Sequence, residues 1–331
     1  MTTTQPLAER FPGLDPDLAG MLEKAAAAGL PGITELTPAQ ARERVSAGDA
    51  AIPAGPAMRA VTEERLGPAE IPVRRYQPLD PRTATAVVWF HGGGWVTGDL
   101  NYSDEICRII AEEAGCEVIS VGYRLAPEHR FPAAVQDGLA AARCVAAGGP
   151  GTATGPADAG GPARPVVLAG DSAGGNIAAV CARQLAPDPD LTLAGQLLVY
   201  PVLDDDVTRD SYRRNDGLVL GAREMGWFFD QYCPPDERRS PMFAPLRARE
   251  LAALPATAIA IAGHDPLYDE GAAYARALAA AGTEVTLLDY PSLVHGFLRF
   301  TGVAPAAAAA AREVARAAAR LVRPPACPDG S

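Results

Sequence analysis

Lysine is almost absent from this chain. Lys24 stands alone among 29 basic residues in a sequence of 331, and the net charge is −11. No basic stretch exists that would neutralise several phosphates, which excludes a nucleic-acid partner, and lysine-based nucleophilic chemistry is left with one residue near the N-terminus. Long apolar runs are missing too. No window of 18 residues is apolar enough to cross a bilayer, so no membrane span is expected. The first ten residues lack a basic start followed by an apolar run, so no secretory signal peptide is expected. The six cysteines, Cys107, Cys116, Cys144, Cys181, Cys233 and Cys327, never fall at CxxC spacing. They read as reduced, mostly buried thiols of a cytoplasmic protein. No His, Cys or Asp cluster has metal-ligand spacing, Asp204 to Asp206 reads as a solvated turn, and neither metal nor cofactor is expected.

What is present is a rhythm of apolar strands and amphipathic helices. Short strands are expected at Ala86–Phe90, Cys116–Val121, Pro165–Ala169, Leu193–Val199, Thr257–Ala262 and Glu284–Leu288. Helical patterns lie between them at Asp104–Ala114, Phe131–Ala147, Asn176–Leu185 and Gly271–Ala281. Strands alternating with helices at this spacing predict an α/β fold with a mostly parallel central sheet covered by helices on both faces. Residues 66–203 and 246–323 carry that rhythm. Two or three short helices in residues 1–65 and an interruption at 204–245, with the aromatic helix around Trp227, read as a helical cap. The Gly/Ala-rich stretch 148–165 reads as a surface loop and 324–331 as a disordered tail.

Three features carry chemistry. Gly170-Asp-Ser-Ala-Gly174 follows one strand and precedes a helix, the context of a nucleophile elbow. With 33 glycines and 8 serines in the chain the motif alone would be weak, and its position between strand and helix gives it weight. Ser172 is the candidate nucleophile. His91-Gly-Gly-Gly-Trp95 follows the Ala86–Phe90 strand, and its bare backbone suits an oxyanion hole built from the amides of Gly93, Gly94 and Ala173. Of the four histidines, only His295 lies after the last strand, where a Ser…Asp…His chain order puts the base. Asp265, Asp269 and Glu270 are candidates for the acid. Asp265 follows its strand most closely, whereas the other two suit the start of the next helix. Trp95, Trp227, Phe228 and Phe297 are candidates to line an apolar substrate pocket, although helix-spaced aromatics often serve a core.

Taken in order, the segments His91–Asp99, Tyr123–Glu128, Phe131–Ala134, Gly170–Asn176, Tyr200-Pro201, Asp265–Leu267 and His295–Phe297 make the chain resemble the hormone-sensitive-lipase-like (bacterial class IV) esterases over residues 70 to 320. The resemblance implies an α/β-hydrolase fold with a helical cap, Ser172, Asp265 and His295 as the triad, and the second and third loop glycines with Ala173 as the oxyanion hole. It also implies hydrolysis of a small-molecule ester with short to medium acyl chains, and frequent homodimers. Trp95 departs from the phenylalanine or tyrosine common there, and the 148–165 loop is longer than usual.

Two other readings share the fold. A non-catalytic ligand receptor would lack the triad histidine, and His295 is present. A member acting on amides or carbamates, or by elimination, would keep the same triad, so residue types alone do not separate it from an esterase.

Overall fold

The computed structural model describes residues 5–148 and 163–323. Elements are numbered in chain order. Helices α1 (Leu7–Arg10), α2 (Pro16–Ala27) and α3 (Pro38–Asp49) precede strands β1 (Ala60–Leu66), β2 (Ile71–Gln77) and β3 (Ala86–Phe90). Then follow α4 (Asp104–Ala114), β4 (Glu117–Val121), α5 (Ala133–Ala146), β5 (Val166–Asp171), α6 (Ala173–Leu185) and β6 (Leu193–Val199). The chain continues with α7 (Asp210–Arg214), α8 (Ala222–Tyr232), β7 (Thr257–His264), α9 (Tyr268–Ala280), β8 (Val285–Val294) and α10 (Pro305–Leu321).

The eight strands form one sheet in the order β1-β2-β4-β3-β5-β6-β7-β8. From β4 to β8 every pairing is parallel, while β1 and β2 add an antiparallel edge. Both faces are covered, so the central strands are apolar throughout. Val88 and Phe90 of β3 enter one core with α5, α6 and α9, and Val87 and Trp89 enter another with α2, α4 and α10. Every residue of β3 and β5 is buried, the pattern of a parallel sheet sandwiched between helices.

All six expected strands are present, with β8 longer than anticipated. It runs through Pro291 to Val294. Strand β8 is the sheet's edge, where a proline's missing N–H deprives no neighbour of a hydrogen bond. The β1–β2 hairpin was not anticipated. Strand β1 is mostly exposed and charged, and β2 contains Pro72 and two arginines, so neither reads as an apolar alternation. Arg75 of β2 is nevertheless buried, because Glu64 and Glu117 both pair with its guanidinium. Since β1 begins at Ala60, the N-terminal helical region ends before residue 65. The expected loop 148–165 lies largely, and the tail 324–331 wholly, outside the described residues.

The helix ends explain where the N-terminal segment folds. Asp15 accepts the N–H groups of Asp17 and Leu18 at the start of α2. Thr37 and Gln40 form a reciprocal capping box at the start of α3. Between them Gly32 and Ile33 reach the same cavity as residues 216–228 of the β6–β7 interruption.

Candidate active site

The site is assembled at the carboxyl ends of parallel strands, where crossover connections leave an open crevice in α/β sheets. Strand β3 delivers the glycine loop, β5 delivers Ser172, β7 delivers Asp265 and β8 delivers His295. Four segments far apart in sequence therefore converge without any long loop.

Ser172 sits in the turn between β5 and α6 with φ 55° and ψ −118°, a strained conformation for a residue with a side chain. The strain is held by bonds on both sides. Its N–H donates to the Val199 carbonyl at 2.9 Å, and its own carbonyl accepts from Asn176 at 3.0 Å and Val202 at 3.2 Å. The Asn176 side chain donates in turn to the carbonyls of Val202 and Phe243. Glycine at 174 is a packing requirement: a Cβ there would collide with the backbone of Phe90 and His91. The turn can be this tight only because the residue two beyond the serine has no side chain.

His295 Nε2 lies 3.0 Å from Ser172 Oγ, and its Nδ1 lies 2.8 Å from Asp265 Oδ2. A carboxylate oxygen accepts, so Nδ1 carries the ring proton and Nε2 faces the hydroxyl as acceptor. The other Asp265 oxygen accepts the Leu267 N–H at 2.8 Å. The Asp265 carbonyl accepts from the side chain of buried Asn215 at 3.0 Å, which ties α7 to the strand end that carries the acid. All three residues are buried, yet Ser172 and His295 both face the cavity.

The remaining candidates for the acid do other work. Asp269 accepts the Ser211 N–H at 2.7 Å and pairs with Arg214. Glu270 is buried beneath the insertion, accepts the Leu203 N–H at 2.7 Å, and has its carboxyl pushed well up by burial. The other buried histidines are also accounted for. His91 stacks on Tyr123 at 4.3 Å, with its Nδ1 2.7 Å from the Gly92 carbonyl oxygen, and burial lowers it to about 4, leaving a neutral ring. His264 packs edge-on against Phe11.

The glycine loop stands over the serine. Gly93 and Gly94 line the cavity with Ser172, and among the described residues no acceptor takes the N–H groups of Gly93, Gly94 or Ala173. Ala173 opens α6, so its amide is one of the free donors at a helix N-terminus. Asp171 was missed at the sequence level although it sits inside the serine motif. Its Oδ1 accepts the Gly92 N–H at 2.8 Å, and burial raises its carboxyl to about 7.

The cavity has a volume of about 730 Å³ and is lined from the sheet side, from the N-terminal segment and from residues 216–228. Phe228 lines it, packed so closely on Gly94 that a Cβ there would meet its ring. Three expected lining residues are elsewhere. Trp95 is wholly buried, stacked on Tyr232 at 4.4 Å, because the loop's positive φ turns its indole into the core beneath α8. Phe297 is buried against Tyr200 and Tyr290. Trp227 lies off the cavity, edge-on to Phe228. Their places are taken by Leu218, Leu220, Met225 and Phe300, which no motif marked. No group of three or more metal-ligating side chains occurs among the described residues.

Comparison with known proteins agrees with this geometry. Residues 87–299 match the family described as α/β hydrolase fold. The chain is 41% identical over 260 residues to the carboxylic ester hydrolase LipN of Mycobacterium tuberculosis, covering 75% of this chain and 66% of LipN. It is 42% identical over 262 residues to esterase LipI of the same organism, covering 77% of this chain and 80% of LipI. The crystal structure of a thermostable esterase from Pseudomonas putida superposes with a TM-score of 0.85 at 30% identity, covering 95% of this chain and 99% of that one. The sheet order, the serine turn and these relatives lead to one conclusion: the chain belongs to the α/β-hydrolase fold family, on its hormone-sensitive-lipase-like esterase branch.

Proposed function

We propose that this protein is a carboxylesterase that hydrolyses short- to medium-chain acyl esters of small molecules through an acyl-enzyme on Ser172. The observation that carries the reading is the unbroken relay from Asp265 Oδ2 through His295 to Ser172 Oγ, at 2.8 and 3.0 Å, opening into a cavity of about 730 Å³. His295 Nε2 takes the hydroxyl proton as Ser172 Oγ attacks the ester carbon, and Asp265 keeps the imidazole in the required tautomer. The amides of Gly93, Gly94 and Ala173 receive the oxyanion. His295 then returns the proton to the leaving alcohol, and water repeats the sequence to release the acid. Relatives named carboxylesterase, esterase and ethyl acetate hydrolase support the choice of ester over amide.

The same reading makes the N-terminal helices and residues 204–245 a cap over the site, because both segments line the cavity that Ser172 faces. It also assigns the protein to the cytoplasm, on the strength of five free thiols among the described residues. A homodimer is the expected assembly, and light scattering tests it.

The decisive experiment pairs purified wild type with Ser172→Ala on p-nitrophenyl acetate, with labelling by an organophosphonate. The variant should be folded and inactive, and the label should fall on Ser172 alone among the eight serines. Retained turnover in folded Ser172→Ala, or labelling at another serine, overturns the assignment.

A further inference from the structure

A second cavity of about 660 Å³ adjoins the first. It lies between α1, α2 and the turn after α7, and its walls include Leu7, Leu22, Ala25, Ala26 and Ala27. Its polar neighbours are already engaged. Glu23 accepts the Leu7 N–H at 2.8 Å, Gln5 bonds Glu9, and the Arg10 guanidinium lies over the Phe11 ring. The rest of the lining is apolar.

Gly217 and Leu218 are the two residues that line both cavities. The side chains on either side of this partition belong to different cores. Leu218, like Leu7 and Leu22, packs against the core on the α2 face, whereas Leu220 belongs to the core of Met225 and Phe228. Gly217 and Leu218 thus stand between the site and the groove. This partition is anchored at one end by Asn215, whose side chain is bonded to the Asp265 carbonyl and whose own carbonyl accepts the Leu218 N–H at 3.4 Å.

We propose that Leu218 is the stop that sets the longest alkyl chain a seated ester can carry, and that the groove beyond it is a closed-off subsite for the apolar end of a longer chain. This rests on reading the first cavity as the ester site. A chain that reaches Leu218 has filled its space, and further methylenes must displace a packed side chain. Remove the stop, and each added methylene gains apolar contact again, at about fourfold per methylene in kcat/KM.

The test measures kcat/KM along two series, p-nitrophenyl esters from acetate to palmitate and alkyl acetates from ethyl to dodecyl. Each profile is normalised to the variant's own rate on its shortest ester, so that partial loss of folded protein does not enter. Leu218→Ala should raise the long-chain end of one series about tenfold or more, and Leu218→Val should raise it less. Adding Ala26→Trp to Leu218→Ala fills the groove and should return the profile to that of the wild type. The inference is overturned if both Leu218 variants keep the wild-type profile in both series, or if the gain survives Ala26→Trp. A wild type that hydrolyses short esters while Leu218 has no effect loses only this inference. A wild type that hydrolyses neither series loses the esterase reading and this inference with it.

Discussion

The backbone N–H of Gly92 donates to Asp171 Oδ1 at 2.8 Å, joining the glycine loop to the residue that precedes the serine. A buried hydrogen bond therefore ties the proposed oxyanion donors to the turn that carries the proposed nucleophile. Asp171→Ala should lower kcat by up to about 10²-fold, the scale of a small misplacement of reacting groups, with KM less affected. Asp171→Asn keeps an acceptor at the same place and should retain most activity. Steady-state kinetics on a short ester distinguishes the two, and equal losses in both variants would show that charge rather than the Gly92 bond matters.

The same carboxyl should leave a mark on stability. Burial raises Asp171 to about 7, above the value near 3.9 of an unfolded aspartate. A raised carboxyl contributes fully below the unfolded pKa and loses its contribution as pH rises through the folded one. Stability should therefore fall between about pH 4 and pH 7, and Asp171→Asn should flatten part of that slope. Glu270, also raised by burial, preserves the rest. Urea midpoints across this window test it, and a slope unchanged in the variant would contradict it.

Asp265 and Asp269 provide a matched pair. Asp265 accepts from His295, whereas Asp269 serves the Ser211 amide and Arg214 at the start of α9. Asp265→Asn should cost about 10⁴-fold in kcat by stabilising the wrong tautomer. Asp269→Asn should remain within about tenfold of wild type, since its partners shape α7 and not the imidazole. A reversal of the two effects would move the acid to Asp269.

The sheet from β3 onward was legible in the sequence, and so were Ser172, Asp265 and His295, the three residues that the structure brings together, because each is local. A buried parallel strand is a short apolar run, and the proposed catalytic residues follow such runs directly. What was illegible depends on partners far away in sequence. Strand β2 needs Glu64 and Glu117 to bury Arg75, and nothing near Arg75 announces them. Trp95 looked like a pocket residue because it adjoins the glycine loop, but its direction is set by backbone φ and by Tyr232 on a distant helix. Asn215 reaches Asp265 across fifty residues without any motif.

Trp95 should accordingly behave as a core residue. It is fully buried, stacked on Tyr232 and packed near Phe229 and Phe243. Trp95→Ala should cost about 3–5 kcal/mol of stability, the usual range for deleting a buried aromatic. Denaturant unfolding measures this directly. A shift in acyl preference with unchanged stability would return Trp95 to the pocket.

Phe228 is the aromatic residue of α8 that lines the cavity, and its neighbour Trp227 lies outside it on the same helix. The Phe228 ring lies against Gly94, so it forms the wall nearest the oxyanion loop, whereas Trp227 touches Phe228 from outside the cavity. Phe228→Ala should enlarge the cavity beside the reacting carbonyl and admit bulkier groups there. Chains branched next to the ester carbon should gain in kcat/KM relative to acetate, because the removed ring leaves room at that position. A methylene placed in the new space is worth about 0.8 kcal/mol, close to fourfold. Trp227→Ala removes support for the ring without removing the ring, so its profile across the same esters should stay close to that of wild type. Relative rates on p-nitrophenyl acetate, isobutyrate and pivalate test both variants in one set of assays. If Trp227→Ala broadened the profile and Phe228→Ala did not, the wall beside the oxyanion loop would have to be assigned to Trp227.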